Sequence, residues 1–343
     1  MASSIVSVVR RVSLMRNPQS LYHFQFEIVN SRSFKRWVAP TLKIMKHRRK
    51  KAGPEPLRHR SVWLNWNYTA ELYAFGRRLN ETFRDETLRT ALIHPSYLEQ
   101  EEKQRQDLGV PSQAVSLKLE HNSGLVASGE SLMNTYIKQY IRQAFPKVPE
   151  EGICEIWEYL VSVDVLSHVA THIGLSDIIL CADFPPEKIT LAKSLKAIIG
   201  ALEFDQSKER AEYFIQDFVI TQLSDKCIFD LWDIPNPMAV LQNILEKEGK
   251  DPAEPRLLWQ AGSNTILALY YVGIYSNRKF LGKAPGETLA IAEEMAARDA
   301  LSRIFGLTEN HKPLPFGKQG RQLIINNNEN NSSLSNWMLS KSI

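Results

Sequence analysis

Ser131-Leu132-Met133-Asn134-Thr135-Tyr136-Ile137-Lys138-Gln139-Tyr140-Ile141-Arg142-Gln143-Ala144-Phe145 sets the structural class of the middle of this 343-residue chain. Its apolar residues come in pairs, Leu132/Met133, Tyr136/Ile137 and Tyr140/Ile141, and each pair returns after four residues. That spacing puts all of them on one face of an α-helix, with Lys138 and Arg142 outside it. The same periodicity runs outward in both directions. It recurs in YTAELYAFGRRLN (68–80), DETLRTALIHPSY (85–97), EIWEYLVSVDVLSHVATHIGL (155–175) and TLAKSLKAIIGALEF (190–204). Pro146, Gly152 and Pro185-Pro186 punctuate the gaps. Residues 61–226 are therefore predicted as one domain of five to seven helices with little sheet.

Asn236-Pro237 opens a different unit. MAVLQNILEKEG (238–249) is a short amphipathic helix. RLLWQAG (256–262), TILALYYVGIYS (265–276) and KFLGKA (279–284) are rich in β-branched and aromatic residues and are separated by turn residues. ETLAIAEEMAARDALSRIFGL (287–307) is a second helix with an Ala-rich face. The order is α-β-β-β-α over residues 230–310, which makes the chain α+β. The tail, 311–343, is polar and Asn-rich. It offers too little apolar area to offset its ordering entropy, so disorder or an induced fit to a partner is expected.

Charge is unevenly distributed. Met1 to Gly53 carries +11, which leaves −7 on the remaining 290 residues. A body of net negative charge is a poor general polyanion binder, so RNA contact must come from local patches or from the basic arm. Cys154, Cys181 and Cys227 form no C-x-x-C pair and are odd in number, so buried free thiols are expected. No apolar run approaches the roughly 20 residues that cross a bilayer. Residues 1–40 alternate short apolar stretches with Arg10, Arg11 and Arg16 and hold one acid, Glu27. This fits a mitochondrial transit peptide, and Arg10/Arg11 break the apolar stretch that a secretory signal needs. The expected location is the mitochondrial matrix. A basic linker follows at 41–60, with Arg48, Arg49, Lys50 and Lys51 as candidate RNA-phosphate contacts.

Five motifs then occur in order. Ala91-Leu92-Ile93-His94-Pro95-Ser96-Tyr97, Gly129-Glu130-Ser131-Leu132, Phe145-Pro146, Leu160-Val161-Ser162 with Ile173-Gly174-Leu175, and Ala192 to Ala201 resemble successive segments of the ribonuclease III domain, from about Tyr68 to Leu223. None is decisive alone; five at matching spacing are specific. The C-terminal unit resembles a double-stranded-RNA-binding domain, through Asn236-Pro237, Leu241-Gln242 and the Ala292 to Leu301 helix pattern. With its basic leader, the combination resembles the mitochondrial large ribosomal subunit protein 44 family.

The resemblance implies four metal-holding carboxylates, two on each of two helices. Their positions are held here by Val126, Glu130, Lys193 and Lys196. A rival register puts Glu120 on the first position but leaves both lysines in place. A site of charge +1 where the family has −4 does not hold Mg²⁺, a hard dication that requires oxygen ligands. No metal or cofactor is therefore expected, and the nuclease-like domain is expected to be a pseudoenzyme. Three roles stay open for the lysines: pairing with Glu130 in place of the metal, contacting RNA phosphate, or solvated charge. His94 is expected to satisfy polar groups near a helix end, with Ser96 and Tyr97.

In the second domain the family's phosphate-clamping lysines are replaced by Leu289, Ala290 and Glu293, so weak duplex binding is expected. Gln242, Arg278, Lys279 and Lys283 remain as candidate RNA contacts. The resemblance implies a structural constituent of the mitochondrial large ribosomal subunit. Expected partners are the large-subunit ribosomal RNA, neighbouring mitochondrial ribosomal proteins, and a dimer-like contact with itself or another ribonuclease-III-like protein through Gly129 to Tyr140. The alternatives are a mitochondrial double-stranded-RNA endoribonuclease and an RNA-processing adaptor.

Overall fold

The computed structural model describes residues 38–53, 59–109, 117, 119–224, 226–263, 265–307, 314–321 and 330–334. The proposed transit peptide up to residue 37 lies outside them. Residues 1–56 and 57–343 form two separate units. In the first, α1 (Val38–Ala52) is helical through most of the stretch read as a basic linker. It has no acid in its first turn and ends on Arg49, Lys50 and Lys51, whose charges favour the negative end of the helix dipole.

Among the described residues, the second unit starts with eight α-helices, one more than the upper expectation. They are α2 (Tyr68–Leu79), α3 (Asp85–Leu92), α4 (Pro95–Asp107), α5 (Ser123–Ala144), α6 (Glu150–Val161), α7 (Val163–Ile173), α8 (Lys188–Asp205) and α9 (Lys208–Phe214). The excess comes from periodic runs that capping residues divide. Pro95 sits at the first turn of α4 and cannot continue α3. Ser162 stops α6 and caps α7, accepting a hydrogen bond from Val165 N–H at 3.4 Å. Beyond α9 the chain runs through one π turn (Ile215–Val219) and a 3₁₀ turn (Ile220–Leu223).

The domain is built on the crossing of α5 with α8. A Cβ at Gly129 would stand 2.0 Å from the carbonyl oxygen of Lys196, and one at Gly200 would stand 2.2 Å from that of Leu125. The two backbones therefore touch, and only glycine fits at either position. Leu125 meets Gly200 and Gly129 meets Lys196, so the helices run antiparallel. Around this contact, Met133, Ile137, Tyr140, Leu195, Ile198 and Ile199 are fully buried.

The C-terminal domain comprises α10 (Ile228–Leu231), α11 (Pro237–Lys247), β1 (Glu254–Ala261), β2 (Leu269–Ser276), β3 (Lys279–Gly286) and α12 (Leu289–Phe305). Its antiparallel sheet has the order β1-β2-β3. The Ala-rich face of α12 is explained by β3: a Cβ at Gly282 would stand 2.5 Å from Ala300 N, and one at Gly286 2.5 Å from Ala292 N. Small residues on both sides let the helix lie directly on the sheet. Trp232 joins the two domains. Its ring fills the space over Gly152 in α6 and lies 6.0 Å from the Phe305 ring.

Two expectations need correction. The described parts of the tail are ordered against the helical domain. The Tyr140 hydroxyl donates to the Pro315 carbonyl at 2.7 Å, and Gly317–Arg321 forms a short helix, α13. Asn331 Nδ2 donates to the carbonyls of Phe145 (2.9 Å) and Val148 (2.8 Å), and Leu334 is buried. A polar segment can order in this way because its amides donate to carbonyls just beyond the end of α5. The cysteines are free, but Cys227 is exposed and Cys154 and Cys181 are half-buried. Cys227 stands at the N-cap of the four-residue α10, too short an element to cover it.

Replacing Gly129 or Gly200 by Ala should force the two helices apart and cost about 3 kcal/mol or more. Gly124, with no heavy atom within 4 Å of its Cβ direction, is the control: Gly124→Ala should gain up to about 1 kcal/mol. Urea denaturation of the three variants checks both signs.

Candidate functional site

The site follows from the α5–α8 crossing. Val126 and Glu130 lie one turn apart on α5, and Lys193 and Lys196 nearly one turn apart on α8. The structure brings two of the four together. Lys196 Nζ donates to Glu130 Oε1 at 2.7 Å, with the lysine side chain 15% exposed and the carboxylate 46% exposed. Val126 is half-buried and packs against the core. Lys193 is exposed and makes no ion pair among the described residues. Of the open roles, pairing with Glu130 is observed for Lys196 only.

Residues at this crossing do not fit a Mg²⁺ ion. The one carboxylate, Glu130, is neutralised by an ammonium group that stands where a dication would have to approach. Among the described residues no group of three or more His, Cys, Asp or Glu could hold a metal. Glu120, the rival first position, lies exposed in the loop before α5 rather than on the helix.

His94 has a structural role. It is the N-cap of α4, where its Nδ1 accepts from Ser96 N–H at 3.3 Å and lies 2.7 Å from Ser96 Oγ. Burial, then the nearby Lys193 charge, hold its imidazole below the ordinary histidine range. Its backbone N–H donates to Leu180 O, and Leu180 N–H donates to Leu92 O. Asn122, which the sequence reading missed, completes this junction. It is buried, and its Nδ2 donates to Ala91 O at 3.3 Å. The available signal was a lone amide directly before α5.

The candidate RNA contacts fall on different surfaces. Arg48, Arg49, Lys50 and Lys51 line the exposed end of α1. Gln242 is half-buried on α11, which packs on α12. Arg278 and Lys279 are exposed at the β2–β3 hairpin, where Asn277 (φ 47°) and Arg278 (φ 63°) take the left-handed conformations of a tight hairpin turn. Lys283 lies on β3, with its ammonium 5.7 Å from the Tyr271 ring centroid. Leu289 and Ala290 are exposed at the start of α12, with Glu293 half-buried beside them.

Comparison with known proteins agrees with this architecture. Residues 67–202 match the family model described as the endonuclease domain of large ribosomal subunit protein mL44, and residues 232–338 match the MRPL44 dsRNA-binding domain. The chain is 34% identical over 285 residues to the large ribosomal subunit protein mL44 of Caenorhabditis elegans, covering 82% of this chain and 71% of the relative. It is 26% identical over 239 residues to ribonuclease 3 of Borreliella burgdorferi, covering 68% of this chain and 91% of that protein. A solved nuclease domain of ribonuclease III from Campylobacter jejuni covers 45% of this chain and 96% of its own, at 21% identity and a TM-score of 0.36. A ribonuclease-III-like helical domain and a double-stranded-RNA-binding domain are thus joined in one chain, which belongs to the mL44 family of large ribosomal subunit proteins.

Proposed function

We propose that this chain is a structural constituent of the mitochondrial large ribosomal subunit and that its nuclease-like domain is catalytically inactive. The observation that carries the second part is the Lys196–Glu130 ion pair at 2.7 Å. Two-metal phosphodiester cleavage needs clustered carboxylates to hold the ions that activate water and stabilise the leaving oxygen. Here the surviving carboxylate is tied to a lysine, and Lys193 adds a second positive charge nearby. The lysine then gives Glu130 the partner that a metal would otherwise have supplied.

The ribosomal part is supported by the name of the C. elegans relative and by a charge layout suited to docking rather than turnover. The basic stretch that follows the leader, with Arg48, Arg49, Lys50 and Lys51, reaches ribosomal RNA phosphates after import into the matrix and removal of the leader. The two folded domains contact neighbouring mitochondrial ribosomal proteins. A dimer-like contact with a second ribonuclease-III-like protein would use the exposed side of α5, at Ser128, Ser131 and Thr135, because Gly129, Leu132, Met133, Tyr136, Ile137 and Tyr140 are buried within this chain. Among the described residues no helix is long and apolar enough to cross a membrane.

Lys196→Glu should lower the unfolding free energy by about 2 kcal/mol, since it sets two carboxylates against each other. Lys193→Glu, on an exposed position, should stay within about 0.5 kcal/mol of the wild type. Equal losses in thermal denaturation would detach Lys196 from any bracing role. Purified protein incubated with Mg²⁺ and duplex RNA should leave the duplex intact on a denaturing gel; cutting that Glu130→Gln abolishes would restore the endoribonuclease reading. In a gradient of mitochondrial lysate at moderate salt, the protein should travel with the large subunit. Recovery near the top, with duplex RNA bound, would favour the free adaptor instead.

A further inference from the structure

The C-terminal domain segregates its charge in a way that the helix-face candidates do not explain. Residues 230–310 hold eleven acids and eight bases, a net −3. Residues 254–286, the three strands and their turns, hold four bases and one acid, a net +3. The positive charge therefore lies on the sheet, and the negative charge on the helices and flanking segments.

One face of that sheet is covered: Val272, Ile274, Gly282 and Ala284 are buried, and Gly282 and Gly286 pack against α12. The other is open. Along the central strand it carries the half-buried Tyr271 and Tyr275, about 13 Å apart, with Gly273 buried between them. Trp259 and Pro285 pair with Tyr271 across the sheet, and Arg256 and Lys283 flank Gly273. Gly273 has a packing reason: a Cβ there would stand 2.9 Å from Leu258 Cδ1 and 3.2 Å from the Tyr275 ring. The result is a continuous aromatic and aliphatic surface on which Trp259 is 55% and Leu258 46% exposed. Two cations sit on it. Arg256 lies 5.4 Å from the Tyr275 ring centroid and Lys283 5.7 Å from that of Tyr271. Glu254 holds Arg256 at 2.7 Å, while Lys283 has no ion pair among the described residues.

We infer that this open sheet face is a binding surface for unpaired RNA, with bases stacked on Tyr271, Tyr275 and Trp259 and phosphates met by Lys283 and Arg256. Aromatic rings interleaved with cations suit a single strand, because every base has a π-face and every linkage has a negative charge. A duplex hides its base faces and cannot use the tyrosines. An apolar protein partner would have to bury Lys283 in mid-interface without a counter-charge. The surface lies opposite the α11–α12 side, where Leu289, Ala290 and Glu293 stand in place of phosphate-binding lysines. The inference deepens the ribosomal proposal, and rests on it only for the source of the RNA.

The test is fluorescence anisotropy with the full chain at about 0.15 M salt. The probes are a labelled single-stranded RNA of about 12 nucleotides and a duplex of about 16 base pairs. The single strand should bind at least about tenfold more tightly than the duplex. Tyr271→Ala and Tyr275→Ala should each weaken single-strand binding about fivefold or more, and Tyr→Phe at either position should retain it. Lys283→Glu, at an exposed site that leaves the fold intact, should weaken binding and reduce its salt dependence. Duplex preference, no binding of either probe, or unchanged affinity in Lys283→Glu and in folded Tyr→Ala variants would overturn the inference. The last two results would leave a protein as the occupant of the face. The lysate gradient separates the two proposals: wild type with the large subunit but indifferent sheet variants sinks this one alone. Wild type at the top that still binds single-stranded RNA sinks the ribosomal reading alone.

Discussion

Everything in the helical domain depends on two backbones touching. Gly129 and Gly200 let α5 and α8 approach until the amide planes of one helix lie against the other, and no side chain fits between them. Interiors this dense transmit small changes in position, so the glycines fix the relative height of the two helices. That height aligns Glu130 with Lys196. It also carries the buried row from Met133 to Tyr140 into the hydrophobic core. The site and the fold are therefore one constraint, and the functional position cannot drift without separating the helices.

At this crossing a lysine, not a metal, partners the carboxylate of α5. Four carboxylates facing one another repel, and a dication normally offsets that repulsion. Here Glu130 is the one carboxylate among the four positions, and Lys196 neutralises it directly. A half-exposed ion pair contributes little in water, so the crossing owes its stability to the packing beneath the pair. What the pair provides is compatibility: a polar group at a crowded crossing keeps a partner without needing an ion.

The second domain makes the opposite use of small residues. Gly282, Gly286 and the alanines of α12 bring helix and sheet together, and among the described residues no helix lies on the far side of the sheet. Charge then divides between the sides. Trp232, the Tyr140–Pro315 hydrogen bond and Asn331 tie the linker and tail to the helical domain, so the described tail after the sheet returns to α5 and the turn beyond it. The double-stranded-RNA-binding fold is thereby attached to its neighbour by buried contacts as well as by the chain.

The sequence alone determined the periodicities, and with them the helical class of residues 61–226 and the α-β-β-β-α order after Asn236. It also put Lys193 and Lys196 on one helical face, because charge and spacing are written residue by residue. It did not separate α3 from α4 or α6 from α7, since a hydrophobic period survives a cap that redirects the chain. Asn122, Asn331 and the Tyr271–Tyr275 face were not legible either. Each depends on a group far away in the chain: a carbonyl on α3, the carbonyls beyond α5, a neighbouring strand. Tertiary structure alone decided that Lys196, not Lys193, pairs with Glu130. Both lysines share a face of α8, but Lys196 sits at the level of the glycine crossing, where α5 comes close enough to be reached.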